Sequence, residues 1–87
     1  MKLSWHEKAW DEYVAWQNED KKTLKKINKL IKDMIRNPYK GLGKPELLVG
    51  DLNGCWSRHI DDANRIVYKV ENEQLIIIQC GTHYKDK

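Results

Sequence analysis

Between residues 56 and 82 the chain carries three runs rich in apolar and β-branched residues. They cover 56–61, 65–71 and 74–82, and only Asp61-Asp62-Ala63-Asn64 and Asn72-Glu73 part them. Strands joined by turns this short pair antiparallel, so the C-terminal half reads as a meander. Such a sheet buries one face and needs a second layer to cover it. The first half of the chain supplies that layer. Leu24, Ile27, Ile31, Met34 and Ile35 form one apolar stripe at helical spacing, and Lys22, Lys25, Lys26, Lys29 and Lys32 lie mostly off it. Asn37-Pro38 ends this helix, because a residue before proline is steered out of the helical region.

An earlier helix is predicted from Ala9, Trp10, Tyr13, Val14 and Gln17, with Ser4 and Glu7 in capping-box spacing at its start. Asn18-Glu19-Asp20 breaks it, and Asp20 can cap the next helix. Lys2-Leu3-Ser4-Trp5 reads as a short opening strand. After the second helix come a loop over 39–43, then Lys44-Pro45-Glu46, a short apolar piece Leu47-Leu48-Val49, and turn residues over 50–54. The predicted order is β-α-α-β-β-β-β. The fold class is α+β, a single domain over residues 1–87 with two helices on one face of a twisted antiparallel sheet.

No apolar run approaches the roughly 20 residues of a membrane helix. Met1-Lys2-Leu3-Ser4 leads directly into a polar helix rather than a secretion signal, so a cytoplasmic protein without membrane contact is expected, with Cys55 and Cys80 reduced and buried. His6, His59 and His83 are scattered, and no Cys/His cluster has metal-ligand spacing; neither metal nor cofactor is expected. The net charge of +3 is unevenly spread. Residues 21–44 carry eight Lys and one Arg against one Asp, whereas the segments on either side are net acidic. A block of this kind either attracts a polyanion or forms a well-solvated helix face.

The strands carry the chemistry. Ile66, Tyr68 and Val70 alternate with Arg65, Val67 and Lys69, so the arginine projects from the face opposite the core. In the last strand Ile76, Ile78 and Cys80 are the expected core set. A three-residue loop at Asn72, which agrees with the hydrophobicity and is the expectation, places Arg65 opposite Gln79; a two-residue loop would reverse the relation. The polar candidates are Glu46, Arg65, His83 and Tyr84, with Lys44, Arg58 and His59 near them. A carboxylate, an arginine and a histidine are the parts needed for metal-free RNA cleavage. A base takes the proton from the 2′-hydroxyl, an acid protonates the departing 5′-oxygen, and a fixed cation offsets charge building on phosphorus.

MKLSW, AWDEY, KKINKLIKD, GLGKPE, LNGCWSRHI, NRIVYKV and the terminal THY occur in this order along nearly the whole chain. In these stretches the sequence resembles the YoeB (Txe) toxins of the RelE superfamily. The resemblance implies a microbial-ribonuclease-like fold and an endoribonuclease that cleaves messenger RNA in the A site of the 70S ribosome, with contacts to 16S rRNA. It implies neutralisation by a YefM-type antitoxin and allows a homodimer. Through it, Glu46 takes the role of general base, Arg65 of phosphate stabiliser, His83 of general acid and Tyr84 of substrate positioner. Lys44, Arg58 and His59, with Lys22, Lys25, Lys26 and Lys29 of the basic helix, are the expected RNA contacts. His59 stands where a second arginine is expected after Trp56-Ser57-Arg58, and Lys85-Asp86-Lys87 follow the tyrosine with which a family member can end. A non-enzymatic ParE-like toxin of the same fold and a plain RNA-binding module are the alternatives.

Overall fold

A computed structural model describes the backbone of residues 1–83 and the side chains as far as Gly81. The elements are β1 (Lys2–Trp5), α1 (Glu7–Glu19), α2 (Lys21–Arg36), β2 (Glu46–Leu47), β3 (Trp56–His59), β4 (Asn64–Glu71) and β5 (Gln74–His83), with a 3-10 turn over Gly50–Leu52. The strands form one sheet in the order β1-β5-β4-β3-β2. Four of them pair antiparallel, as the short turns require, and β1 adds in parallel to β5 at the edge. The sheet is therefore mixed rather than wholly antiparallel. A two-helix excursion between β1 and the meander lets the first strand enter in the parallel sense.

Both helices lie on one face. Ala9 from α1 and Ile27, Leu30, Ile31 and Met34 from α2 bury against Ile60, Ile66, Tyr68, Leu75, Ile77 and Cys80. The α2 stripe is as expected, with Leu30 added to it. The α1 stripe holds only for Ala9 and Tyr13. Trp10 and Val14 stay well exposed, while Tyr13 and Trp16 pack against the core. Trp5, Trp10 and Tyr13 pack ring against ring, so the exposed Trp10 rests on two partly buried neighbours. Asp20 caps α2 as its sequence position implies, accepting hydrogen bonds from the Lys22 and Thr23 amides. Ser4 does not cap α1. It stays in β1 and donates to Gln74 Oε1 at 2.6 Å, leaving His6 as the N-cap without a side-chain bond.

The hairpin between β4 and β5 closes in two residues, with Asn72 and Glu73 both in the left-handed region at φ 51° and 60°. This is the primed turn that matches strand twist, and it overturns the three-residue loop. Continued without interruption, that register would turn Gln79 to the core. It is interrupted twice. Val67 pairs with Gln79 and Tyr68 with Ile77, so Ile78 is an extra residue; Arg65 pairs with Thr82 and Ile66 with Cys80, so Gly81 is another. Each bulge flips the alternation downstream of it. The core set of β5 is consequently Leu75, Ile77 and Cys80 rather than Ile76, Ile78 and Cys80. The first bulge also returns Gln79 to the face of Val67 and Arg65, although it stands opposite Val67, and Arg65 opposite Thr82.

The second bulge is held from α1. Trp16 Nε1 donates to the Cys80 carbonyl at 3.1 Å, and the Glu12 carboxylate accepts from the Cys80 amide at 2.7 Å. Gly81 has φ +82°, and a Cβ there would drive into the Trp16 indole, so only glycine fits this position without rearrangement. Both cysteines are free and buried. Burial, reinforced by the charge of Glu12, pushes the Cys80 thiol up to about 12, which leaves it inert at neutral pH. Among the described residues, no helix is long and apolar enough to cross a membrane.

Candidate functional site

The face of the sheet away from the helices gathers the strand-borne polar residues. Across it, Glu46 on β2 pairs with Ser57 on β3, Ser57 with Val67 on β4, and Val67 with Gln79 on β5. One step along, His59 pairs with Arg65 and Arg65 with Thr82. Glu46 and Arg65 thus stand on neighbouring rows, and a guanidinium nitrogen of Arg65 lies 3.6 Å from the Glu46 carboxylate. The Glu46 side chain is 56% exposed and that of Arg65 26%. At the centre of this face Ser57 and Val67 are fully buried. The Ser57 hydroxyl accepts from Arg65 Nη1 at 3.5 Å, a long contact that backs the guanidinium from beneath. Sequence reasoning passes over Ser57, since a small hydroxyl in a strand carries no signal of its own.

The backbone of β5 brings His83 opposite Asn64, one residue from the Arg65 pairing. The His83 side chain and Tyr84 lie outside the described residues, as do Lys85, Asp86 and Lys87.

A groove of about 880 Å³ opens beside this face, between α2, the segment before β2 and the β3–β4 turn. Lys22, Lys25, Lys26, Lys29, Lys44 and His59 line it, over a floor of Leu30, Leu42 and Ile60, with Asp61 and Asp62 at its rim. The lysines of α2 are exposed, and their spacing puts them together on the side of the helix away from Met34. Asp61 is occupied in shaping the turn, accepting from the Ala63 and Asn64 amides. Burial opposes its charge, but the Asn64 side-chain amide, together with those two bonds, outweighs it and holds the carboxyl below the usual range.

Arg58 is the residue that the structure moves out of the site. Expected as an RNA contact, it points to the helix side of the sheet and is fully buried. Its guanidinium meets Asp33 at 2.6 Å, and it donates to the Tyr68 hydroxyl and to the carbonyls of Leu42, Asn37 and Lys40. The alternation of β3 explains this: Ser57 and His59 share the outer face, so Arg58 between them must face inward. Asp33 and Tyr68 are not foreseeable as its partners. In the sequence Asp33 is simply the one acid in a basic block, and Tyr68 a core aromatic.

Asp33 is held below the usual carboxylate range by the Leu42 amide and, after it, by the Arg58 guanidinium. A carboxyl whose folded pKa is depressed adds stability above its unfolded value, and loses it as pH falls through the folded one. Asp20, held low by the Thr23 hydroxyl and amide, behaves alike. Folding stability is therefore expected to fall on acidification below about pH 4. Asp33→Asn should flatten the decline, which denaturant melts across pH 2–6 would measure; an unaltered slope would contradict the assignment.

The model of the YoeB-like toxins of bacterial type II toxin–antitoxin systems matches residues 5–84. The chain belongs to this family. It is similar to the YoeB toxin of Streptomyces coelicolor, 50% identical over 84 residues that span 97% of this chain and all of the relative. Its fold matches a YoeB/ParE toxin from Agrobacterium tumefaciens with a TM-score of 0.92 and 48% identity, covering 97% of this chain and 100% of the other. It also matches Staphylococcus aureus YoeB, solved both as a dimer and in a heterotetrameric complex with YefM, at a TM-score of 0.87 and 39% identity over 97% of this chain and 98% of that one. Membership makes the chain a toxin of a type II toxin–antitoxin system and accounts for the α+β architecture.

Proposed function

We propose that this YoeB-family toxin is an endoribonuclease that cuts messenger RNA in the ribosomal A site, by metal-independent attack of a ribose 2′-hydroxyl on the adjacent phosphate. The observation that carries the reading is the Glu46–Arg65 pair, 3.6 Å apart on the face that the helices leave uncovered. Glu46 takes the proton from the 2′-hydroxyl. As that oxygen attacks phosphorus, the non-bridging oxygens gain charge, and the Arg65 guanidinium offsets it through its fork of donors. His83 returns a proton to the departing 5′-oxygen, and Tyr84 positions the substrate. The exposed pair is worth little to folding, about 0–1 kcal/mol, so a phosphate can displace the carboxylate from Arg65 at small cost.

Lys44, His59 and the α2 lysines Lys22, Lys25, Lys26 and Lys29 hold the RNA backbone along the groove, messenger or 16S ribosomal. The partner that silences the toxin is an antitoxin of the YefM type, by analogy with the S. aureus complex, and the S. aureus dimer supports pairing of this chain as a homodimer. A substrate held on ribosomes places the toxin in the cytoplasm.

The test is a messenger programmed on ribosomes with a single 2′-deoxyribose at the scissile position. The expected outcome is cutting of the all-ribose strand to a 2′,3′-cyclic phosphate or its 3′-phosphate hydrolysis product. It should persist when a chelator is added under conditions that keep the ribosome intact, and the substituted strand should stay whole. A cut at the deoxy position would end the proposal. Binding to ribosomes without cutting of either strand would favour the RNA-binding alternative.

A further inference from the structure

The Arg58 centre has a geometry that burial alone does not require. The guanidinium has five N–H donors, and all five are directed to acceptors: the Tyr68 hydroxyl, the Asp33 carboxylate, and the carbonyls of Asn37, Lys40 and Leu42. Two further bonds close the set. The Tyr68 hydroxyl donates to the Pro38 carbonyl at 2.7 Å, and the Asp33 carboxylate accepts from the Leu42 amide at 2.9 Å. One polar centre thus ties four carbonyls and one amide of the segment that leaves α2, which has no regular structure of its own. Gly41 packs so tightly on Asp33 and Arg58 that a side chain there would collide with them.

The segment is then handed to the site. The Gly43 carbonyl accepts from the His59 amide at 2.8 Å. Glu46 pairs with Ser57. Only Lys44, at φ +52°, and Pro45 lie between these two anchors. Three consecutive residues of β3 therefore grip the chain: Ser57 and His59 through their backbone along the sheet edge, Arg58 through its side chain from the helix side. A buried ion pair is poor evidence for stability, because desolvating two charges offsets most of their attraction and apolar residues can replace such pairs without loss. What five directed hydrogen bonds supply is a fixed geometry.

We propose that Arg58, with Asp33 and Tyr68, is a positioning residue that sets Lys44 and Glu46 against Arg65. It touches no substrate. It acts by holding residues 37–43, and through them the carboxylate, to the place where proton abstraction from the 2′-hydroxyl is productive. The inference rests on the cleavage reading given above for Glu46. A general base displaced by an ångström loses much of its effect, so loosening the centre should lower the turnover rate while leaving the charge-driven association with ribosomes intact.

The test combines single-turnover cleavage on saturating ribosomes with backbone amide exchange in the free toxin. Tyr68→Phe removes one hydroxyl and keeps the ring. Arg58→Lys keeps the charge and loses the fork. Tyr68→Phe is expected to slow cleavage about tenfold and Arg58→Lys about a hundredfold, with ribosome affinity within roughly twofold of the parent. In a Glu46→Gln background the same substitutions should add almost nothing, since they act through the group already removed. Amide exchange at Leu42, bonded to Asp33, and at Leu48, bonded to the Cys55 carbonyl, should rise in both variants, while the β4 and β5 amides stay protected. Full additivity with Glu46→Gln would make the centre merely structural and overturn the proposal. Unchanged exchange at Leu42 and Leu48 would do the same. If Arg58→Lys does not fold, Tyr68→Phe decides alone. If the parent toxin cuts nothing, the cleavage reading fails, and the exchange measurement still decides whether Arg58 orders the segment.

Discussion

Arg65→Ala is expected to slow cleavage on saturated ribosomes by about a hundredfold or more, with near-normal ribosome binding and an almost unchanged melting temperature. The three parts follow from where Arg65 sits. Its side chain is a quarter exposed and its partner Glu46 more than half, so the ion pair contributes only about 0–1 kcal/mol to folding. Ser57 beneath it forms a long contact at 3.5 Å, itself a weak one. Its charge is one among many cations on this surface, so association, which depends on the summed field, changes little. The loss falls on the step in which charge accumulates on phosphorus. Arg65→Lys should recover little, because an ammonium is a point charge and cannot reproduce two parallel donors to a phosphate. Single-turnover rates against ribosome concentration separate the two effects. A variant whose affinity drops while its saturated rate persists would show that Arg65 anchors RNA rather than stabilising the transition state.

The expected layering is readable because it rests on patterns that tertiary contacts rarely override. The α2 stripe, the Asp20 cap and the Asn72-Glu73 turn region all mark themselves by residue type. Strand parity is less secure. In β5 the alternation of Ile76, Ile78 and Cys80 points to the wrong core set, because bulges at Ile78 and Gly81 shift the phase twice within one strand. Neither bulge announces itself: Ile78 is an ordinary strand residue, and the glycine marks a bulge only once Trp16 is seen against it. The site follows the same division. Chemistry and resemblance name Glu46 and Arg65, and the register of β2, β3 and β4 sets them side by side. Resemblance assigns Arg58 to RNA, whereas its position between two outward residues on β3 turns it to the core. Asp33 can be linked to Arg58 only in three dimensions, since the two are 25 residues apart and on different elements.

The basic helix should behave in the opposite way to the sheet. Lys25, Lys26 and Lys29 are exposed and line the groove, while the single acid of α2, Asp33, is engaged with Arg58. The lysines' contribution to RNA binding is the release of condensed counterions, which depends on charge number and not on geometry. Changing all three to Gln should weaken ribosome binding at moderate salt, and flatten the dependence of log affinity on log salt by about one unit for each phosphate no longer neutralised. Helix formation should survive, because Lys and Gln have similar propensities and the buried stripe is untouched. At saturating ribosomes the rate should be near that of the parent. Two results would count against this division of labour. A salt slope identical to the parent would mean that these lysines form only a solvated face. A collapse of the saturated rate would mean that the reacting phosphate sits over α2 and not over the Glu46–Arg65 pair. Titrations at several potassium concentrations, read together with the Arg65 variants, assign the chemistry to one face or the other.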